Sequence, residues 1–200
     1  MSLLIGLTGG IACGKSAVSK RLAQRGALII DADQISRDVL APASLGLKAI
    51  VTRWGDELLQ EDGSLNRTKL SALVFQDPEA RHELEQITHP LIAQMSAEQI
   101  AAALVQNPPL VVYDAALLIE AGRAEAFRPL VVVTTTPEIQ RLRLMARDSL
   151  SAAQAEARIQ AQLPLQSKEA LADYIVYNDG DWASLDAQVD QLWEQLFSNE

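Results

Sequence analysis

The sequence predicts an α/β fold: a mostly parallel five-stranded sheet between layers of helices. Three observations predict it. Short apolar runs alternate along the chain with segments of helical period. The first run passes through a glycine-rich turn into a helix and then a second run, a β-α-β unit that calls for a right-handed crossover and parallel strands. Between the second and third runs, residues 34–106 are mostly helical by pattern, as expected of a helical insertion standing over the sheet.

Each element has its own justification. Residues 3–7, LLIGL, are apolar on both faces and end in glycines, the mark of a buried strand. Residues 15–25 carry Val18 and Leu22 at helical spacing and stop at Gly26, a natural C-cap. Residues 27–30 form the second strand, ended by Asp31-Ala32-Asp33. Pro42, Gly55, Asp62-Gly63, Pro78 and Pro90 punctuate the helical middle. Pro90 restricts His89 to extended geometry, which predicts a helix boundary there. Residues 110–113 are the third strand, ending at Asp114, and residues 130–134 the fourth, ended by Pro137. Residues 138–162 read as two helices parted near residues 149–151. Residues 174–177 make the fifth strand, closed by Asn178-Asp179-Gly180. The tail from Trp182 carries Leu185, Val189, Leu192, Trp193 and Leu196 at helical spacing, a stripe expected to pack on its own sheet.

Composition narrows the function. With 200 residues, 48% of them hydrophobic and 22% charged, the chain is long enough for one soluble domain with its own core. Seventeen basic against 26 acidic residues give a net charge of −9, which argues against a general nucleic-acid binder but leaves room for a small basic pocket. One cysteine excludes an internal disulfide framework and fits a reducing compartment. With two histidines and no ligand-spaced cluster, a structural zinc site is not expected. The first residues lack a basic leader and no stretch reaches the roughly 18 apolar residues of a membrane span, so a cytoplasmic protein with no membrane partner is expected. The expected state is a monomer or a weak homo-oligomer.

Chemistry concentrates in Gly9-Gly10-Ile11-Ala12-Cys13-Gly14-Lys15-Ser16, which fits G-x-x-x-x-G-K-[ST] between a strand and a helix. Such a loop wraps a phosphate with its N–H groups, and the helix that follows adds its positive end. Lys15 would reach the β- and γ-phosphates and Ser16 would hold Mg²⁺. This motif makes the predicted architecture a three-layer P-loop NTPase fold. Cys13 falls at a variable position, where its thiol would line the ATP site and be shielded by ATP. No N-K-x-D guanine motif is present, and Leu110-Val111-Val112-Tyr113-Asp114 resembles a Walker B strand without an adjacent glutamate. A small-molecule kinase therefore fits better than a GTPase or a motor. Asp33, at the end of the second strand, is either the proton acceptor for an acceptor hydroxyl or the N-cap of the next helix. Arg143 and Arg147 are four residues apart and share a helix face with Arg141 and Arg158 nearby. They form either a lid that clamps phosphate or a solvated face paired with Glu138, Asp148 and Glu156. His82 reads as solvent-facing and His89 as a capping or packing residue.

At this point the chain resembles the dephospho-coenzyme A kinase family over nearly all its length. The segments that carry the resemblance begin with Leu7-Thr8-Gly9-Gly10-Ile11, Gly14-Lys15-Ser16 and Ile30-Asp31-Ala32-Asp33. Asp62-Gly63-Ser64-Leu65, Val74-Phe75, Thr88-His89-Pro90-Leu91-Ile92 and Leu117-Leu118-Ile119-Glu120 follow. The C-terminal half adds Gln140, Arg143-Leu144, Arg147-Asp148, Arg158, Gln162, Lys168, Ala172-Asp173, Asn178 and Gly180. The resemblance implies ATP-dependent phosphorylation of the ribose 3′-hydroxyl of dephospho-CoA, with Mg²⁺ accompanying ATP. It implies a core of residues 1–33, 108–138 and 172–200, an acceptor-binding helical region of 34–107 and a lid of 139–171. It makes Asp33 the general base, acting with Lys15, Arg143 and Arg147. ATP would bind Gly10, Ile11, Ala12, Cys13, Gly14, Lys15, Ser16, Ala17, Arg143, Arg147, Asn178 and Gly180. The acceptor would bind Thr8, Asp33, His89, Leu117, Leu118 and Glu120. Four departures stand out. Ala12 replaces a usual glycine, tolerable if its φ is negative. Ala115-Ala116 alters the acceptor-side turn, Thr134-Thr135-Thr136 stands where an acidic residue is common, and Pro164 is expected to break the lid's second helix early.

Overall fold

The computed structural model describes residues 2–198; Met1, Asn199 and Glu200, at the ends of the expected core, lie outside the described residues. In chain order the first elements are β1 (Leu3–Gly9), α1 (Lys15–Gln24), β2 (Leu28–Asp31), α2 (Ala32–Asp38) and α3 (Leu45–Trp54). Next come α4 (Arg67–Gln76), α5 (Pro78–Val105), β3 (Leu110–Asp114) and β4 (Leu130–Thr134). The C-terminal part holds α6 (Pro137–Asp148), α7 (Ala152–Gln160), α8 (Leu165–Glu169), β5 (Tyr174–Tyr177) and α9 (Trp182–Phe197). The chain divides into two compact units, Met1–Ile30 with Ala103–Glu200, and Asp31–Ala102.

The first unit carries the sheet, in the order β2-β3-β1-β4-β5. The pairings of β1 with β3, β1 with β4 and β4 with β5 are all parallel. Every residue of β3 and β4 is buried, as expected of strands covered on both faces. β1 and β3 run past their apolar runs because the ladder continues. Leu7 pairs with Asp114 and Gly9 with Val133, so the functional end of each strand is held in register with its neighbour. The tail stripe packs as expected: Leu185, Val189, Leu192 and Leu196 of α9 join Ile5, Leu7, Val131 and Val133 in one buried cluster. Arg21 and Arg25 of α1 reach Asp186 and Asp190 of α9, with N–O distances of 2.5 Å each, and fix the two helices side by side.

The threonines after β4 each take a partner. Thr134 donates to Glu169 at 2.6 Å, Thr135 donates to the Asn178 carbonyl at 3.0 Å, and Thr136 caps α6 by accepting from the Ile139 N–H. The two helices expected in 138–162 are α6 and α7, parted at Ser149, whose φ is 53°. Pro164 breaks neither. α7 has already ended at Gln160, and Pro164 stands at the N-cap of α8, where a missing N–H costs nothing.

The second unit is helical, as expected, apart from a lone bridge between Leu59 and Leu65 that closes the Asp62-Gly63 turn. Ser44 caps α3 and Asn66 caps α4. The expected boundary at His89-Pro90 is absent: both lie inside the 28-residue α5. Proline there removes one N–H in a long helix, the donor that would have bonded the Gln86 carbonyl, and biases the preceding residue without barring it from helix. Among the described residues no helix is long and apolar enough to cross a membrane, and no group of three His, Cys, Asp or Glu could hold a metal.

Candidate active site

The end of β1, the loop and the first turn of α1 form the base of the site. Gly14 is the N-cap of α1 at φ 90°, and no side chain caps the helix. The first-turn N–H groups are therefore presented at a helix end that favours an anion. Ser16 is exposed on that turn, and Ile11 and Ala17 are half-buried. Lys15 pairs with Asp114, which the ladder places at the end of the adjacent strand. The loosely matching Walker B strand thus delivers its carboxylate to the loop lysine.

Two expectations about the loop are corrected. Ala12 has φ 59°, so the condition for tolerating its methyl group fails; the left-handed region costs a non-glycine residue roughly 1–2 kcal/mol. The Cys13 thiol does not face the outside of the loop. It is fully buried in the sheet's apolar cluster, and burial pushes it up to about 11. Its backbone is engaged as well: the Cys13 N–H donates to the Gly10 carbonyl at 3.1 Å.

Side-chain amides hold the loop from outside. Gln140 Nε2 of α6 donates to the Ile11 carbonyl at 2.8 Å, and the Ile11 N–H donates to Gln162 Oε1 at 2.8 Å. Asn178 Nδ2 donates to the Cys13 carbonyl at 2.9 Å. These contacts account for two loop glycines without a ligand, Gly10 and the motif's Gly14. A Cβ on Gly10 would lie 2.8 Å from Gln140 Nε2, and one on Gly14 would lie 2.0 Å from Asn178 Nδ2. Asn178 is 4% exposed, its backbone carbonyl accepts from Arg143 Nη1 at 2.8 Å, and Gly180 beyond it is exposed. Arg143 is thereby held beside the loop. Arg147 is held elsewhere: it donates to both Asp148 oxygens, at 2.8 and 3.1 Å, and Arg158 shares Oδ2 at 2.6 Å. The ion-paired alternative describes Arg147 and Arg158 in this structure, with Asp148 as their partner.

The remaining candidates are distributed unevenly. Thr8 is buried and donates to the Ala116 carbonyl at 3.2 Å. Leu117 is half exposed, whereas Leu118 is 2% exposed and sits in the core. Glu120 faces inward, with Oε1 2.6 Å from Nζ of the completely buried Lys168, and it also accepts from the Leu163 N–H at 3.3 Å. Glu120 therefore ties the turn after β3 to α8. Asp33 and His89 belong to the second unit. Asp33 is the second residue of α2, and the cap of that helix is Asp31, which accepts from the Gln34 N–H at 2.8 Å. The capping alternative thus goes to Asp31. His89 is exposed on α5, and His82, also exposed, has Nε2 2.9 Å from Gln86 Nε2.

A family model described as dephospho-CoA kinase matches residues 3–184. The chain belongs to the dephospho-CoA kinase family. A dephospho-CoA kinase of Geobacter sulfurreducens is 40% identical over 194 residues, covering 97% of this chain and 98% of that one. One of Anaeromyxobacter dehalogenans is 44% identical, covering 96% and 92%. The solved dephospho-CoA kinase of Campylobacter jejuni superposes with a TM-score of 0.75 at 29% identity over 100% and 99% of the two chains. The fold class read from the sequence, a P-loop kinase with a five-stranded parallel sheet, is that of the family. What sequence reasoning missed is the grip on the loop. Gln140, Gln162 and Lys168 stand among the residues that carry the family resemblance, but a glutamine on a helix or a lysine near an exposed lid gives no sign of its partner in the sequence.

Proposed function

We propose that this member of the family transfers the γ-phosphoryl group of ATP to the ribose 3′-hydroxyl of dephospho-CoA, giving coenzyme A and ADP. The observation that carries the reading is the family match across nearly the whole chain, with the phosphate-loop lysine and its strand-end aspartate joined in one site. The loop N–H groups and Lys15 bind the donor phosphates. Asp33 takes the proton of the acceptor hydroxyl as its oxygen bonds to the γ-phosphorus and the bond to the β-phosphate bridge breaks. Arg143 and Arg147 spread the charge that develops, and Arg147 leaves Asp148 to do so. Thr8, Leu117, Leu118 and Glu120 shape the acceptor side, the buried members by backing the surface rather than touching the ligand, and the family resemblance adds His89 to the acceptor's partners. Asn178 and Gly180 flank the adenine.

Mg²⁺ suits this donor set, because it keeps several waters and needs only one or two protein oxygens beside the phosphates. The exposed Ser16 hydroxyl and the Asp114 carboxylate would hold it, and it would neutralise phosphate charge as transfer proceeds. We further assign the enzyme to the cytoplasm, as a monomer or weak homo-oligomer; a single cysteine, buried and reduced, supports a reducing compartment.

The test is ADP production from ATP and Mg²⁺ with and without dephospho-CoA, followed by a panel of other hydroxyl acceptors. Acceptor-dependent ADP release with dephospho-CoA is expected. Phosphate transfer to a nucleoside monophosphate but not to dephospho-CoA would overturn the assignment. So would tight ATP binding without acceptor-dependent turnover, which is the behaviour of a nucleotide switch.

A further inference from the structure

The phosphate loop contains one residue in an unfavourable backbone state, Ala12 at φ 59°. The peptide just before it, Ile11–Ala12, is the peptide whose carbonyl accepts from Gln140 Nε2 at 2.8 Å. The other side of Ile11 is also fixed, because its N–H donates to Gln162 Oε1 at 2.8 Å. A peptide plane held on its carbonyl sets the torsion of the residue that follows. Gln140 is 3% exposed and cannot swing away, and Gly10 lacks the side chain that would push it off. We propose that Gln140 and Gln162 are positioning residues that hold the Ile11 peptide so that Ala12 stays left-handed and the loop N–H groups keep the curve that receives phosphate.

The arrangement has a second consequence. Gln140 is on α6, three residues before Arg143, and Gln162 lies in the segment between α7 and α8. The lid helices are therefore registered to the loop at two places, the start of α6 and the segment between α7 and α8, and Arg143 arrives beside Gly14 because Gln140 is anchored one turn earlier. A family member with glycine at position 12 has no backbone penalty to hold down. In this chain the alanine makes the two amides answerable for loop shape, which is a property that can be measured.

The inference rests on the loop being the ATP site, and the experiment separates the two. ATP binding with Mg²⁺ is measured by calorimetry, beside kcat and KM for ATP, in a double-mutant cycle of Gln140→Leu and Gln162→Leu, each made with Ala12 and with Ala12→Gly. With Ala12, each glutamine substitution is expected to weaken ATP binding about tenfold, since one hydrogen bond no longer opposes the left-handed cost. In the Ala12→Gly background the loss should shrink to about threefold or less, because glycine adopts the left-handed state freely. KM for ATP should follow binding, while KM for the acceptor changes little. Thermal melts of all variants give the readout for a merely structural role, which would cost stability equally in both backgrounds. Equal losses of ATP affinity with Ala12 and with glycine would overturn the proposal, and so would unchanged affinity in both Gln→Leu variants. Failure of the unaltered chain to bind ATP would instead overturn the reading of the loop itself. If buried Gln140→Leu does not fold, the half-buried Gln162→Leu completes the cycle alone.

Discussion

At the scale of single residues, Ala12 and Cys13 show how neighbours in one motif differ in what they obey. Ala12 keeps a conformation that its Cβ opposes. Ala12→Gly removes that opposition and returns some of the gain as added freedom in the unfolded chain, so a net stabilisation of about 1 kcal/mol is expected. Urea unfolding midpoints at constant slope measure it, and a destabilised variant would mean that the methyl group packs better than the backbone suffers. Cys13 obeys burial. Its thiol is pushed up to about 11 from 9.0, so the folded state keeps a proton that the unfolded state releases. The contribution of Cys13 to stability is then constant below about pH 9 and falls as pH rises towards about 11. Cys13→Ala should flatten that part of the profile, followed as melting temperature against pH. A parallel slope in the variant would assign the fall to other groups. Thiol reagents should leave the folded chain unmodified with or without ATP.

At the scale of elements, strands were more legible than the turns and helices that serve the site. β4 and β5 occupy the spans their apolar runs mark, and α6 and α7 part where the helical period lapses. Burial on both faces leaves a run of Val, Ile and Leu with few other readings. α5 was less legible because His89-Pro90 carries a local signal for ending a helix, yet the helix runs through it for 28 residues. α6 and α7 are joined by Asp148, which binds Arg147 and Arg158 together. The hydrogen bond from Arg147, with the charges of Arg147 and Arg158, holds the Asp148 carboxyl below its ordinary range. If Arg147 takes the phosphate role proposed for it, phosphate competes with that carboxylate. Asp148→Asn should lower KM for ATP by about two- to fivefold, the size expected for exposed ion pairs, and steady-state kinetics at fixed acceptor would show it. A higher KM would mean that Asp148 holds the arginines ready for ATP instead of withholding them.

At the scale of the whole molecule, a chain of net charge −9 has to gather two anionic substrates. Its bulk field repels both, so attraction must be local, and the proposed sources are an uncapped helix end, Lys15, Arg143 and a metal accompanying ATP. The motif made the donor half of this readable, because G-x-x-x-x-G-K-S fixes backbone shape and charge in eight consecutive residues. The acceptor half depends on residues far apart in sequence, and spacing alone left Asp33 divided between base and cap. The structure gives the cap to Asp31, which makes the pair a built-in comparison. Asp31→Ala should cost about 1 kcal/mol of stability through the lost cap, with turnover largely kept. Asp33→Asn should do the reverse. A neutral amide cannot take the acceptor's proton, and a missing general base typically lowers turnover by about 10²- to 10⁴-fold. ATP affinity should stay close to that of the unaltered chain, since the proposed donor-site residues Lys15, Arg143 and Asn178 all belong to the other unit. Pre-steady-state phosphoryl transfer and ATP calorimetry on both variants provide the check. Near-normal transfer by Asp33→Asn would remove this carboxylate from the chemistry, and an equal loss in Asp31→Ala would place the effect in the shape of α2 rather than in proton transfer.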